Sequence, residues 1–214
     1  MTIVVSINIR SLGGKGKYLS LRDFLKKLNP SIICIQESMH LADHSIVVFC
    51  SMFQAWNIAA WDALGHSRGE IILWNPIVAM FKAFSFFGGT LIIGHCRGHR
   101  NMPHIINLYA HDQERRIFWD WMDRSEILSL SNLIIAGDFN SSLHPDDIWG
   151  RDGRADPLEN HLRSLFSFQN ICDLKMDDSS PMWYNCKNGD ATISKRLDRF
   201  LIKEDLVDRI PILR

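Results

Sequence analysis

Short apolar runs that stop abruptly at polar residues recur along this chain and predict buried strands. The clearest covers residues 133–136, which are followed by Gly137, Asp138 and, two positions on, Asn140. A short apolar run between polar residues is typical of a strand buried on both faces. Because ligands gather at the carboxyl ends of strands in α/β proteins, Asp138 and Asn140 are candidate functional residues. Gly-Asp-x-Asn is also common in turns, so the pattern alone leaves both interpretations open.

The first 37 residues alternate between strand and helix patterns. Residues 3–9 are apolar and β-branched, and a Gly-rich basic loop follows at residues 11–17. From Tyr18 onward, apolar residues recur at helical spacing, namely Leu21, Phe24, Leu25 and Leu28. Residues 31–35 form a second apolar run, which ends at Gln36-Glu37. The order strand, helix, strand predicts a βαβ-like opening.

The middle of the chain changes to β-rich runs separated by Gly, Pro or Asn, a pattern typical of antiparallel strands. These runs are residues 45–49, 70–74, 77–86, 91–93 and 105–109. Late strands are predicted at residues 182–184 and 192–202. With helices interspersed, the pattern indicates an α/β (α+β) fold in which two sheets pack together with helices outside.

Two further helices are predicted. The first covers residues 113–129, with core positions at Phe118, Trp121, Met122, Ile127 and Leu128. The second begins at Asp156-Pro157-Leu158-Glu159, where Asp suits the N-cap and Pro suits the first helical position. Its apolar stripe consists of Leu158, Leu162, Leu165 and Phe166.

Composition places limits on the class of protein. The 214 residues, 46% of them hydrophobic, suit a single domain over residues 1–214. The 24 basic and 24 acidic residues balance, so any contact with nucleic acid must come from a local patch. Five Cys without a Cys-x-x-Cys pair favour reduced thiols. We find neither a signal-peptide pattern nor a run of about 20 apolar residues, and expect an intracellular protein of the nucleus or cytoplasm.

Polar side chains stand at the ends of several predicted strands. They are Asn8, Glu37, Tyr109, Asp138 with Asn140, and Asp198. Acid and amide oxygens suit a hard cation such as Mg²⁺ rather than zinc. Asn and Tyr can bind phosphate oxygens, and a carboxylate outside the metal shell can activate water. The set indicates metal-assisted hydrolysis of a phosphodiester, although each residue taken alone is more often structural.

Five motifs resemble, in sequence order, those of the endonuclease/exonuclease/phosphatase superfamily. They are Asn8-Ile9-Arg10, Ile35-Gln36-Glu37, Asn107-Leu108-Tyr109, Gly137-Asp138-Phe139-Asn140 and Arg196-Leu197-Asp198-Arg199-Phe200. The chain is similar in particular to the apurinic-like endonuclease domain of plant LINE-type retroelements. The run Arg115-Arg116-Ile117-Phe118-Trp119 and the loop after Asn8 carry that similarity. The resemblance covers nearly the whole chain.

This resemblance implies a four-layer sandwich of two mixed sheets flanked by helices, a divalent metal (Mg²⁺ or Mn²⁺), and DNA as the partner through its phosphate backbone. By motif position, Glu37 and Asn8 would lie at the metal.

The remaining positions would carry catalysis and substrate contact. Asp138 would position or activate the water, Tyr109 and Asn140 would contact the phosphate, and Asp198 would orient a catalytic His. Arg10 takes a substrate-binding position. Separately from the resemblance, Lys195, Arg196 and Arg199 form a small basic group, which indicates either a solvated face or a contact to phosphate.

Two departures from the family pattern bear on activity. The family's Ser-Asp-His near the end of the domain has no counterpart between Asp198 and Arg214, so we expect the last strand and its His to be missing. Loss of a group that acts on developing phosphate charge costs about 100-fold or more in rate. Asp112 occupies a substrate-binding position where the family has an amide, and its charge would repel the substrate. His111 is a candidate substitute for the missing His.

Three hypotheses of function therefore remain open. The first is a divergent Mg²⁺-dependent DNA endonuclease, weakened or inactive. The second is a catalytically dead retroelement remnant that at most binds nucleic acid. The third is a phosphatase acting on a substrate other than DNA, against which the LINE-like loop motifs argue.

Overall fold

The computed structural model describes residues 2–11, 15–62, 69–98, 102–150, 153–174, 181–186 and 192–209. The helices are α1 (Lys15–Leu28), α2 (Ala42–Met52), α3 (Arg115–Arg124) and α4 (Glu159–Phe168). The first seven strands are β1 (Val4–Asn8), β2 (Ile32–Gln36), β3 (Asn57–Trp61), β4 (Glu70–Trp74), β5 (Ala79–Phe86), β6 (Gly89–Cys96) and β7 (His104–Tyr109). The later strands are β8 (Leu133–Asp138), β9 (Ile148–Trp149), β10 (Ile171–Asp173), β11 (Trp183–Tyr184), β12 (Ser194–Lys195) and β13 (Asp198–Lys203).

The strands form two main sheets and one small one. A four-stranded sheet has the order β1-β2-β4-β3, and a six-stranded sheet has the order β10-β13-β8-β7-β6-β5. Each main sheet contains one parallel pair, β1 with β2 and β7 with β8, and its other pairs are antiparallel. The small sheet has the order β11-β12-β9. Both sheets are therefore mixed, as predicted.

Apolar side chains form three layers of core. One layer lies between the two sheets and includes Cys34, Ile72 and Ile105. A second lies between the four-stranded sheet and α1 and α2, and a third lies between the six-stranded sheet and α3 and α4. The layer order helix, sheet, sheet, helix confirms the predicted α/β sandwich. Among the described residues, no helix is long and apolar enough to span a membrane.

The predicted βαβ opening is confirmed, because β1 and β2 are parallel neighbours joined through α1. Leu25 on α1 is fully buried, and Leu21 and Leu28 pack beside it. Phe24 differs from the prediction, since 52% of it is exposed to solvent. Residues 12–14 of the preceding loop lie outside the described residues.

The prediction of a strand at residues 45–49 is wrong, because these residues lie in α2. The β-branched run of Ile46, Val47 and Val48 favours a strand, but the buried residues of α2 are Ser45, Phe49 and Met52. Their spacing of four and three positions places them on one face of a helix. Packing of that face against the sheet overrides the local β-propensity.

The predicted helix at residues 113–129 is shorter in the structure, because α3 ends at Arg124 and Glu126 adopts a left-handed conformation (φ 60°). Of the predicted core positions, Phe118, Met122 and Leu128 are buried. Trp121 and Ile127 are partly buried and pack against the same cluster. Trp119 was not among the predicted core positions, and it is fully buried in the ring cluster that includes Phe139.

The start of α4 uses the predicted chemistry at a slightly later position. The helix begins at Glu159 rather than at Pro157. The Asp156 carboxylate accepts the Leu158 N–H (3.0 Å), and the Asp156 carbonyl accepts the Glu159 N–H (3.0 Å). Asp156 therefore caps the turn that leads into the helix. The predicted apolar stripe of Leu158, Leu162, Leu165 and Phe166 is buried.

Two polar side chains join the sheets through the apolar space between them. Gln36 on β2 donates a hydrogen bond to the side-chain oxygen of Asn107 on β7 (2.5 Å). The Asn107 amide donates to the carbonyls of Ile35 and Ile71, each at 3.1 Å. Both side chains are fully buried. Because Gln36 directly precedes Glu37, this contact fixes the end of β2 relative to the opposite sheet.

Asn107→Leu is expected to destabilise the protein by about 2–4 kcal/mol, because the buried Gln36 amide loses one of its two acceptors and the carbonyls of Ile35 and Ile71 lose the Asn107 donor. The measurement is urea unfolding of both proteins. Asn57→Leu is the control, since Asn57 is exposed on the edge strand β3. A loss of stability no greater than that of the control would contradict the role assigned to Asn107.

A buried carboxyl group lies further along the same interface. Glu70, the first residue of β4, is 6% exposed and accepts a hydrogen bond from the Thr90 hydroxyl (3.1 Å). Burial raises the pKa of Glu70 to about 8, and the Thr90 hydrogen bond opposes this only in part. The folded protein therefore favours the protonated carboxyl group.

This raised pKa predicts a pH-dependent stability. Between about pH 5 and pH 8 the folded state binds more protons at Glu70 than the unfolded state, so the free energy of unfolding falls as pH rises, by up to about 1.4 kcal/mol per pH unit. Glu70→Gln removes this contribution, and its stability relative to the wild type should increase across that range. Thermal melts at several pH values test this, with the exposed Glu126→Gln as control. A constant difference between wild type and Glu70→Gln would contradict it.

Candidate active site

The two sheets bring polar strand ends to one edge of the sandwich. Asn8 ends β1 and Glu37 directly follows β2, and these two strands are parallel. Tyr109 and Asp138 end β7 and β8, which are also parallel. Because β13 runs antiparallel to β8, its first residue, Asp198, lies at the same edge. This convergence follows from strand direction and explains why residues distant in sequence meet.

The Asn8 side chain joins the two sheets at this edge. Its amide nitrogen donates to Oε1 of Glu37 (3.0 Å) and to Oδ2 of Asp138 (2.7 Å). Its oxygen accepts the backbone N–H of Arg10 (3.1 Å). Both amide hydrogens are therefore used to hold two carboxylates close together.

Asp138 is the central member of a row across the six-stranded sheet. It pairs in register with Tyr109 on one side and with Asp198 on the other. Directly paired residues place their side chains on the same face of a sheet. Oδ1 of Asp138 accepts the backbone N–H of Asn140 (2.8 Å), which fixes the carboxylate and the loop that follows it.

Burial and mutual repulsion favour the protonated forms of these acids. Burial raises the pKa of Asp138, and Glu37 adds to this, while hydrogen bonds from Asn140 and Asn8 oppose it. Burial and then the neighbouring Asp138 raise the pKa of Asp198 to about 7. Within the described parts of the chain, Oδ1 of Asp198 is buried and accepts no hydrogen bond. The charged forms of Asp138 and Asp198 are therefore disfavoured, because the hydrogen bonds of the site compensate them only in part.

Three residues at the site have left-handed backbones that side chains usually avoid. They are Arg10 (φ 44°), Glu37 (φ 53°) and Asn140 (φ 46°). Such conformations persist where surrounding contacts hold them and are frequent at functional sites. Here the carbonyl of Glu37 accepts the Ser11 N–H (2.6 Å), and Lys17 on α1 donates to the carbonyls of Ile9 and Arg10.

The loop after Asp138 is held by Arg115 at the start of α3, a contact that the sequence did not predict. The guanidinium group donates to the Asn140 carbonyl and to the Ser141 hydroxyl (3.1 Å). It also forms an ion pair with the buried Asp156 carboxylate (2.6 Å). The Asn140 amide nitrogen donates to the Ala110 carbonyl (2.7 Å). Arg115 therefore couples α3, the Asn140 loop and the turn before α4.

A second group missed by the sequence analysis lies behind Asp198. Arg196 and Arg199 are buried, so the prediction that they form a solvated face is wrong, and the alternative of a phosphate contact stays a prediction. Arg199 pairs with Asp147 (2.8 Å) and Asp173 (2.7 Å), and Arg196 pairs with Asp173 (2.7 Å). This network fixes the start of β13. The sequence gives no local signal for this network, because the two Arg residues are distant along the chain from the two Asp residues that they pair with.

The structure thus brings together most of the predicted site residues, namely Asn8, Glu37, Tyr109, Asp138, Asn140 and Asp198. Arg10 lies close enough to lower the pKa values of Asp138 and Asp198 against the effect of burial. Asp112 contacts Arg115, which also donates to the Asn140 carbonyl. Its side chain is 74% exposed and faces Arg115 at 3.5 Å. His111 accepts the Gln113 N–H (3.4 Å), and its ring centroid is 6.4 Å from that of Tyr109.

The donor set fits a hard cation bound partly through water. Among the described residues, no group of three or more His, Cys, Asp or Glu side chains is arranged to hold a metal ion. Mg²⁺ does not need three protein carboxylate or imidazole ligands, because it usually keeps several waters and binds through one or two carboxylates and a substrate phosphate. The Glu37 carboxylate could supply such a ligand, and the Asn8 amide nitrogen donates to it. The uncompensated charge of Asp138 and Asp198 would favour a cation there.

The structure consists of two packed mixed sheets with flanking helices, and acid and amide side chains converge at one edge. This is the architecture of nuclease and phosphodiesterase-type domains. The family model of the endonuclease/exonuclease/phosphatase family matches residues 5–210. The chain belongs to this family, which confirms the superfamily resemblance found in the motifs. A comparison with curated proteins gave no match.

Solved structures share the fold at low sequence identity. The endonuclease domain of TRAS1, a telomere-specific non-LTR retrotransposon, has a TM-score of 0.71 at 16% identity, over 100% of this chain and 90% of that chain. The AP endonuclease LMAP from Leishmania major has a TM-score of 0.72 at 15% identity, with coverage of 97% and 80%. An AP endonuclease from Archaeoglobus fulgidus has a TM-score of 0.67 at 14% identity, with coverage of 99% and 90%.

Arg115→Leu is expected to cost about 2–4 kcal/mol of stability, because it leaves the buried Asp156 carboxylate without its cationic partner. Arg116→Leu is the matched control on the same helix, since the exposed Arg116–Asp120 pair contributes at most about 1 kcal/mol. Urea unfolding measures both. Equal losses for the two variants would show that Arg115 does not hold the loop.

Proposed function

We propose that this chain is a divalent-metal-dependent phosphodiesterase domain that nicks DNA. We infer that its rate is low, because no described residue donates a hydrogen bond to Oδ1 of Asp198. The observation that carries the proposal is the cluster of Glu37, Asp138 and Asp198, which the Asn8 amide and the strand register hold together. A stable fold gains nothing from like charges gathered at a buried edge, since burial and then repulsion raise the pKa values of Asp138 and Asp198. Function is the better explanation for such a cluster.

Within this proposal, Glu37 and Asn8 hold Mg²⁺ or Mn²⁺. The bound cation would neutralise charge on a phosphodiester and lower the pKa of water. Asp138 accepts a proton from the attacking water, and its raised pKa brings it closer to the range that suits a general base. Asn140, Tyr109 and Arg10 contact the phosphate.

The weakened activity follows from the surroundings of Asp198. Its Oδ1 lacks a hydrogen-bond donor within the described residues, so no described side chain is positioned through it to act on the phosphate. We infer a rate lower by about 100-fold or more than that of a complete site. His111 is the residue that we would examine first as a substitute.

DNA as the substrate rests on the character of the structural relatives. TRAS1 is a retrotransposon and its matching domain is an endonuclease, and two other relatives are AP endonucleases. Together with the LINE-like motifs, this supports a retroelement-type DNA endonuclease. Since basic and acidic residues balance, binding to DNA would depend on local contacts to phosphate and would weaken with salt.

The proposal predicts slow nicking of supercoiled plasmid in Mg²⁺ or Mn²⁺ that EDTA abolishes. Asp138→Asn keeps the shape of the side chain and should lower the rate by about 100-fold or more, since the amide cannot accept the proton. Asp123→Asn, an exposed position on α3, is the matched control and should nick as the wild type does. Thermal melts confirm that each protein is folded.

Because no described residue donates a hydrogen bond to Oδ1 of Asp198, a second candidate function is a domain that binds nucleic acid without cleaving it. A folded wild type that binds DNA in a salt-dependent manner and does not nick it would support this candidate and contradict the first. Nicking that is equal in wild type and Asp138→Asn would contradict the assigned site.

A further inference from the structure

The strand β5 forms a long open edge of the six-stranded sheet. Within the described residues it pairs with β6 alone, in a register that runs without interruption over all eight of its residues. The opposite edge of this sheet, β10, has three residues. Edge strands in native proteins are often short, bulged or interrupted by Pro, because an open edge can pair with another chain. β5 contains neither a bulge nor a Pro.

The pairing of β5 with β6 shows which of its backbone groups face the open side. The Arg97 N–H donates to the Val78 carbonyl (2.7 Å), and these two residues continue the register in which Ala79 faces Cys96. In an antiparallel pair, directly opposite residues alternate between hydrogen-bonded and non-hydrogen-bonded positions. The even-numbered residues of β5 therefore bond to β6. The backbone groups that face outward are at odd-numbered positions, and include those of Phe81, Ala83 and Ser85.

The outer face of β5 exposes apolar side chains. Met80 is 68% exposed and Phe84 is 50% exposed, and Lys82 between them is exposed as well. The opposite face of the strand packs into the core between the two sheets. Helix α3 reaches the outer face at the end of β5, where Trp121 stacks on Phe86. An incoming strand would therefore find open backbone groups and an apolar surface at the same edge.

This edge is also basic. From residue 71 to residue 111 the sequence contains no Asp or Glu. The exposed side chains of His95 and Arg97 on the β6 side face even-numbered residues, and so lie on the same face of the sheet as Lys82. Within the described parts of the chain, Lys82 forms no ion pair. An acidic group on an incoming strand would complement this charge.

We propose that the open edge of β5 is a docking site for an extended peptide strand of a partner protein that places an acidic side chain opposite Lys82. The strand would extend the six-stranded sheet by β-augmentation, through the outward backbone groups of β5. In an antiparallel arrangement Lys82 takes a non-hydrogen-bonded position toward the partner, where facing side chains approach most closely. Apolar side chains two positions before and after the acid would cover Met80 and Phe84.

This docking site is separate from the candidate active site. In the six-stranded sheet, β6 and β7 lie between β5 and β8, the strand that ends in Asp138. The proposed strand therefore needs no residue of the carboxylate cluster, and its binding does not depend on the proposed nuclease activity.

A second copy of β5 fits this edge less well than an acidic strand. The antiparallel register that places Met80 of one copy opposite Phe84 of the other also places the two Lys82 side chains opposite each other. Like charges directly opposite are destabilising, and a Lys on an edge strand protects against such self-association. The same charge favours a partner strand that carries an acid. A DNA backbone would neutralise the cations, but it lacks the amide groups that extend a sheet.

Fluorescence anisotropy of labelled peptides tests the proposal. The probe is Gly-Thr-Val-Thr-Glu-Thr-Val-Thr-Gly, which places Glu between two Val on one face of a strand, and the control peptide has Lys in place of Glu. We expect the wild type to bind the Glu peptide about fivefold or more tightly than the Lys peptide, because an opposite-charge pair replaces a like-charge pair. Lys82→Glu should reverse this preference. Lys27→Glu, at an exposed position on α1, is the matched control and should leave the preference unchanged.

Ser85→Pro tests whether the peptide pairs as a strand. Ser85 is exposed and its N–H faces outward, so Pro removes a donor from the open edge and leaves the bonds to β6. Binding of both peptides should weaken by about fivefold or more, with folding checked by thermal melts. Absence of binding to folded wild type, a preference that Lys82→Glu does not reverse, or unchanged binding by Ser85→Pro would overturn the proposal. A wild-type dimer that Ser85→Pro abolishes would overturn it in favour of a second copy, and displacement of the Glu peptide by an oligonucleotide would overturn it in favour of nucleic acid.

Discussion

The constraint on which the site depends is the gathering of carboxylates where the two sheets meet. Strand direction brings Glu37 and Asp138 to the same edge, and the Asn8 amide donates to both at 3.0 and 2.7 Å. The hydrogen bond to Asp138 crosses from the four-stranded sheet to the six-stranded sheet, and the two bonds together hold like charges in proximity. Burial adds to the electrostatic cost, as the raised pKa values of Asp138 and Asp198 show.

Other polar contacts hold the strand ends that carry these carboxylates. Behind it, the fully buried Gln36 and Asn107 fix the separation of the sheets. The ion pairs of Arg196 and Arg199 with two Asp residues fix the start of β13. Removing one member of such a buried pair costs about 3–5 kcal/mol of stability, because the remaining member is left as an unpaired buried charge. The apolar layers supply the stability that offsets the repulsion at the site.

Much of the fold and site could be predicted because it depends on local patterns. The apolar run before Asp138 indicated a buried strand, and the motif order indicated that Glu37 and Asp198 would join it. The prediction from the sequence failed where tertiary packing determines the secondary structure. In α2, for example, Phe49 lies on a buried helical face despite its β-branched neighbours. The prediction also failed for Arg115, whose partners are distant in sequence. No local pattern marks such a pair in a single sequence.

The most direct test of this account is the binding of Mn²⁺, followed by the electron paramagnetic resonance signal of the free ion. We predict that the wild type binds Mn²⁺, that Mg²⁺ competes, and that Glu37→Gln weakens binding by about tenfold or more. The exposed Glu126→Gln should bind as the wild type does. A folded wild type that binds no Mn²⁺, or equal binding by Glu37→Gln, would contradict the claim that the carboxylates gathered around Asn8 hold a cation.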